Sequence, residues 1–121
     1  MAVTRIAVDS LIKLLDGDIK MPLTCVVKFY SSKCHLCHAL KDYYEEISAT
    51  YRHIPFFAYN TETATSSLKQ RISIQGVPSI ILIKVPIKGK PKIQLLGEPA
   101  SPHEKTWYTS KDITDFIEKY K

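Results

Sequence analysis

Three cysteines are too few to hold a secreted disulfide scaffold together, and the odd number leaves at least one without a partner. Long apolar runs are missing as well: no stretch approaches the roughly 20 residues that cross a bilayer. The opening residues, MAVTRIAVDSLIKLLDGD, contain no apolar h-region. The expectation is therefore a cytoplasmic chain with no signal peptide, in a compartment where a close cysteine pair is catalytic or metal-binding rather than structural. Internal repeats, low-complexity tracts and linkers are absent. The 121 residues are expected to form a single domain, 1–121, long enough to bury a core unaided. Excess charge is modest, at +5. Its densest cluster, Lys84, Lys88, Lys90 and Lys92, is punctuated by Pro86, Gly89 and Pro91 and reads as a solvated turn. No aromatics interleave with these lysines as in a single-strand binder. Neither nucleic acid nor membrane is expected as a partner, and a monomer is the expected state.

What is present is an ordered series of apolar segments. Val3 to Ala7 is predicted as a short strand. From Asp9, the spacing of Leu11, Ile12, Leu14 and Leu15 predicts an amphipathic helix, capped by Asp9 or Ser10 and stopped by Gly17. Leu23 to Tyr30 (LTCVVKFY) is β-branched and aromatic, with Lys28 its one charge, as in a central strand buried on both faces. Cys34 to about Thr50 reads as a helix with Leu40, Tyr43, Tyr44 and Ile47 on one face. Ile54 to Tyr59 is a further strand, and Asn60 or Thr61 is placed to cap a polar helix running towards Arg71. Ser79 to Val85 and Lys92 to Leu96 flank Gly89 and predict a hairpin. Gly97 to Ser110, with Pro99 and Pro102 and no periodicity, is a long loop. The last helix shows Ile113, Phe116, Ile117 and Tyr120 on one face, with Thr109 or Ser110 as cap. This order predicts an α/β fold, a central mixed β-sheet flanked by helices on both faces.

The segment Phe29 to Ala39, FYSSKCHLCHA, carries the chemistry. Two thiols separated by two residues serve to exchange a disulfide, to hold a metal, or to anchor a haem through C-x-x-C-H with His38 on the iron. A structural zinc needs four ligands. Cys34, Cys37, His38 and a distant His53 or His103 are available, but no second C-x-x-C or H-x-x-x-H supplies paired spacing. Haem is disfavoured because both methionines, Met1 and Met21, lie upstream and the apolar segments are mostly strands. Cys25, inside an apolar strand, reads as a small buried hydrophobe rather than a third redox thiol.

Two motifs in this frame resemble the thioredoxin superfamily. One is the C-x-x-C at the end of a buried strand and the start of a helix. The other is Gly76-Val77-Pro78, just before SIILIKV, with Pro78 lying 41 positions beyond Cys37. That spacing is similar to the distance in thioredoxins between the second cysteine and the cis-proline loop. The resemblance runs from about Val3 to Lys121. It implies the thioredoxin fold, a cis Val77–Pro78 bond, and a thiol–disulfide oxidoreductase working on protein disulfides. A reductase or another dithiol would be its electron partner, and no cofactor is implied. The chain departs from the usual tetrad: Lys33 stands where the family has Trp, and His35-Leu36 replace Gly-Pro. Lys28 stands where thioredoxins bury a carboxylate under the second cysteine. Val77 resembles DsbA-type oxidases more than thioredoxins, which favour Ile. The alternative from another class is a non-catalytic binding module that keeps the fold as a scaffold; the intact cysteines oppose it, while Lys28 and Lys33 favour it.

On the leading reading, Cys34 is the nucleophile at a helix N-terminus and Cys37 resolves. Lys33 and His35 flank Cys34 with cationic groups, which should lower its pKa below about 8.5 and make the couple more oxidising. Lys28 is expected either to reach solvent along its stem or to bear on Cys37, with Asp42 or Glu45 as stand-ins for the missing carboxylate. Gly76, Val77 and Pro78 are expected to shape a groove for a substrate lying as an added strand, Gly76 permitting close backbone approach. Tyr30 is expected to pack near the motif, and His38 to modulate the site or stand in solvent. Trp107 reads as a substrate-facing aromatic or as a plug over the core edge.

Overall fold

The most apolar segments become the middle of the sheet in the computed structural model, which describes residues 3–72, 74 and 76–121. β1 (Val3–Arg5) pairs in parallel with β3 (Phe56–Asn60), and β3 pairs in parallel with β2 (Leu23–Tyr30). On its other side β2 pairs antiparallel with β4 (Ser79–Val85), and β4 with β5 (Lys92–Leu95). The resulting order is β1-β3-β2-β4-β5. Side chains alternate across a strand, so β2 sends Cys25, Val27 and Phe29 to one face and Val26 to the other. The first face is closed by Leu11, Leu14 and Leu15 of α1 (Val8–Asp16) and by Leu68 of α3 (Ser66–Arg71). The second is closed by α2 (His35–Thr50) through Leu40, Tyr44 and Ile47, and by α4 (Ser110–Tyr120) through Ile113, Phe116 and Ile117. The expected mixed sheet with helices on both faces is what forms, and two covered faces explain why β2 and β4 are apolar almost throughout. Among the described residues, no helix is long and apolar enough to cross a membrane.

Boundaries differ from the sequence reading for local reasons. α1 begins earlier than expected: Ala7 is its cap, extended at φ −80° and ψ 158°, with no side-chain cap bond. Asp9 lies instead in the first turn, where its charge faces the positive end of the helix dipole. Gly17 does end α1, at φ 72°. Tyr43 is 47% exposed, not part of the buried stripe, because it sits about 100° around the helix from Tyr44. The single polar helix expected after Asn60 is two elements. A 3₁₀ turn at Thr61–Thr63 is capped by the Asn60 side chain, and α3 is capped by Thr65, whose Oγ1 accepts from Leu68 N at 3.2 Å. Thr109 caps α4 in a reciprocal box with Asp112. The four lysines of the basic cluster are exposed around a turn in which Gly89 has φ 101°.

Candidate active site

The cysteine site is assembled by the ends of two paired strands. Tyr30 and Asn60 are the last partners of β2 and β3, so the segments that follow leave the sheet side by side. Thr61 Oγ1 donates to Tyr30 O at 3.1 Å. The Ser32 N–H and hydroxyl both donate to the Glu62 carboxylate, each at 3.1 Å. Asn60 Oδ1 in turn accepts from Glu62 N at 2.9 Å. Nothing in motif or spacing pointed to Ser32 or Glu62, and Thr61 was legible only as a candidate helix cap; the contacts of all three are brought about by strand register. Glu62→Ala is expected to cost about 1 kcal/mol in urea denaturation and to speed amide exchange at Ser32, since both bonds are exposed.

Cys34 closes a turn by donating its N–H to Ser31 O at 3.2 Å, and it is the N-cap of α2 at φ −90° and ψ 105°. Its Sγ accepts from Cys37 N at 3.0 Å, the place usually taken by a Ser, Thr or Asp oxygen. A sulfur there faces unpaired N–H groups and the positive end of the dipole, which favours its thiolate. Cys34 and Cys37 are joined as a disulfide with Cα atoms 5.2 Å apart. Cys34 is half-buried, whereas Cys37 is 3% exposed. Lys33 and His35, on either side of Cys34, are both exposed. His38 Nε2 lies 2.9 Å from Ser32 O; a carbonyl only accepts, so Nε2 carries the proton and ties the first turn of α2 to the loop. Among the described residues, no three His, Cys, Asp or Glu side chains converge as metal ligands. Cys25 is wholly buried, and burial pushes its thiol up to about 12, so it packs as a small hydrophobe.

Lys28 does not reach solvent along its stem. It is 4% exposed, on the sheet face covered by α2, with Ala58 and Ile80 as its neighbours on the adjoining strands. Its Nζ stands 4.9 Å from the ring centre of Tyr44 and 5.9 Å from that of Tyr30. Among the described residues, none of the ion pairs within 4.0 Å includes it. Burial first, then repulsion from Lys41, lowers its pKa to about 8 against the pull of Glu45. Glu45, half-buried, is thus the downstream carboxylate that acts on Lys28, while Asp42 is exposed. The two rings offset part of the missing counter-charge.

Phe29 pairs with Ser79, which puts the segment before β4 at the sheet end from which the Cys34 loop departs. The Val77–Pro78 bond is cis, and Ser79 Oγ donates to Gly76 O within that turn. Gly76 is exposed, and a Cβ there would meet nothing within 4 Å. The close approach expected at Gly76 is therefore not made by this chain itself. Val77 lines two grooves. One, of about 550 Å³, is walled by Phe29, Tyr59, Leu68 and Ile72. The other, of about 300 Å³, is walled by Pro78, Leu95, Leu96, Trp107 and Tyr108.

The thioredoxin family model matches residues 16–101. The thioredoxin of Borreliella burgdorferi is 26% identical over 102 residues, spanning 78% of this chain and 85% of that protein. Among solved structures, the Trx4 domain of ERdj5 superposes with a TM-score of 0.74 at 16% identity, covering 98% of this chain and 95% of that one. A thioredoxin of Malassezia sympodialis gives 0.66 at 17% identity, covering 99% and 94%. Such low identities speak for the fold alone, and the fold is that of thioredoxin. The family match spans most of the chain and contains both the C-x-x-C and the Gly-Val-Pro turn. The chain belongs to the thioredoxin family, and its Cys34–Cys37 pair makes it a thiol–disulfide oxidoreductase.

Proposed function

We propose that this protein exchanges its Cys34–Cys37 dithiol with the disulfides of protein substrates through a mixed disulfide. The observation that carries this reading is the unequal exposure of the two thiols: Cys34 is half-buried at a helix N-terminus, and Cys37 is 3% exposed behind it. The Cys34 thiolate attacks one substrate sulfur, and the other leaves as a thiolate. Cys37 then attacks Cys34, the second substrate thiolate leaves, and the pair ends oxidised while the substrate ends reduced. A reductase or another dithiol returns the two electrons, or the same steps run in reverse. Lys33 and His35 lie beside Cys34 and favour its thiolate, and Lys28 adds a positive charge beneath α2. Gly76, Val77 and Pro78 form the near wall of the substrate groove. The exchange requires no cofactor. The 121 residues act as one domain and a monomer in the cytoplasm, without nucleic-acid or membrane partners.

The test is capture of the intermediate. Cys37→Ser, presented with a folded protein carrying an accessible disulfide, is expected to accumulate a covalent adduct that dithiothreitol releases, with net turnover lost. Cys34→Ser is expected to form none. Partner capture that survives unchanged in Cys34→Ser would replace exchange with a binding scaffold.

A further inference from the structure

The loop between β5 and α4 holds a strained residue beside the Gly76–Pro78 turn. Trp107 has φ 64°, in the left-handed region that bulky side chains rarely adopt. It is the middle residue of a γ-turn with positive φ, in which Tyr108 N donates to Thr106 O at 2.7 Å. The surroundings over-determine this turn. Trp107 and His103 exchange both backbone hydrogen bonds, each 2.9 Å long. Thr106 Oγ1 donates to Tyr108 O at 2.7 Å, and Tyr108 Oη donates to Leu96 O at 3.1 Å.

Burial along the turn separates two roles. Thr106 and Tyr108 are buried and close the core edge, while Trp107 between them is only half-buried. A plug alone needs no positive φ. What the turn adds is an indole on the wall of the 300 Å³ groove, with Val77 and Pro78 also lining it. Leu95, 47% exposed, and Leu96 complete an apolar lining in which Glu98 is the one charged residue. Strain held by its surroundings at the edge of a groove points to a binding position. The groove also begins at the sheet end that carries the Cys34 loop, because Ser79 is the partner of Phe29. Its occupant therefore arrives with the disulfide that Cys34 meets.

We infer that Trp107 sets the substrate preference of the exchange, its indole receiving a bulky apolar side chain close to the substrate cysteine. Glu98 at the same groove disfavours an acidic one. This rests on the protein-substrate reading above.

Trp107 is the one tryptophan of the chain, so its emission reports on the groove. The probes are cysteine peptides, flanked by Leu or by Asp and activated as mixed disulfides, captured on Cys34 in the Cys37→Ser variant. The Leu-flanked adduct is expected to shift the emission to the blue and shield it from acrylamide; the Asp-flanked adduct is not. With Cys37 present, kcat/KM is expected to favour the Leu-flanked peptide by at least about 10-fold. That ratio falls in Trp107→Ala to the residual preference that Glu98 imposes, and recovers in Trp107→Phe. The reduction potential of the Cys34–Cys37 pair stays unchanged in both variants. Equal emission from the two adducts, or a preference that is undiminished in Trp107→Ala, overturns the inference. If Trp107→Ala fails to fold, the emission comparison still decides, since it leaves Trp107 in place. A protein that reacts with hydroxyethyl disulfide but with neither peptide loses the protein-substrate reading, and this inference with it.

Discussion

Replacing Lys28 by methionine is expected to stabilise the fold by about 3 kcal/mol at pH 7, with the gain vanishing above about pH 10.5. The side chain is 4% exposed and its pKa is lowered from 10.5 to about 8, chiefly by burial. The unfolded chain therefore holds this proton more tightly than the folded one. Below about pH 8 both states carry the charge, and the fold bears the whole cost of burying it. Between about 8 and 10.5 the unfolded chain binds more protons, so this group makes stability rise with pH across that window. The gap between 10.5 and about 8 corresponds to about 3 kcal/mol. Methionine keeps the length of the stem and discards the charge. Urea denaturation of both proteins from pH 6 to 11 tests this, and the contributions of other titrating groups cancel in the difference. A difference of constant size across that range would place the cost of Lys28 in its packing rather than in its charge. A destabilising charge retained beneath the helix that carries Cys37 fits the bias on the thiolates proposed above.

Lys28 also marks the limit of what sequence discloses. That a strand such as LTCVVKFY lies in the centre of the sheet was legible, because only burial on both faces selects so apolar a segment. So was Cys34 as the residue opening α2, and Gly17 as the end of α1, since local chemistry decides both. The fate of the Lys28 stem depends on the two tyrosine rings that enclose it, and Tyr44 lies on a different element. The carboxylate grip of Glu62 on Ser32 depends on parallel register between β2 and β3, which no local pattern encodes. Asn60 was rightly placed as a cap, but the helix after it breaks at Ala64 and Thr65, because Thr65 supplies a competing cap. The loop from Gly97 was legible only as irregular. Its γ-turn follows from tertiary anchors at Leu96 and His103 that force Trp107 into a conformation its own preference opposes.

Tyr44→Ala is expected to destabilise the protein by about 4 kcal/mol, a large part of the roughly 5–15 kcal/mol available to a domain of this size. Tyr44 is wholly buried where α2 meets the sheet, its ring edge-on to Phe56 with centroids 5.4 Å apart. Its Oη donates to Phe57 O at 2.8 Å and lies 3.3 Å from Val26 O, so one hydroxyl touches both β3 and β2 near their Val26–Phe56 pairing. Burial raises its pKa well above the ordinary value, which keeps it a donor wherever the fold persists. The loss in Tyr44→Ala combines a cavity between helix and sheet with the removal of the ring over which Lys28 sits. Tyr44→Phe separates these contributions, because it keeps the ring and deletes only the hydroxyl. Its expected cost is about 1–2 kcal/mol, from a buried carbonyl left without that donor. Urea denaturation of both variants measures the difference, expected at about 2–3 kcal/mol in favour of Tyr44→Phe. Equal losses would mean that the hydroxyl, and not the packed ring, joins α2 to the strands beneath the cysteines. The ring is expected to dominate, because it fills the space against Phe56 and shields the one buried ammonium that has no carboxylate partner among the described residues.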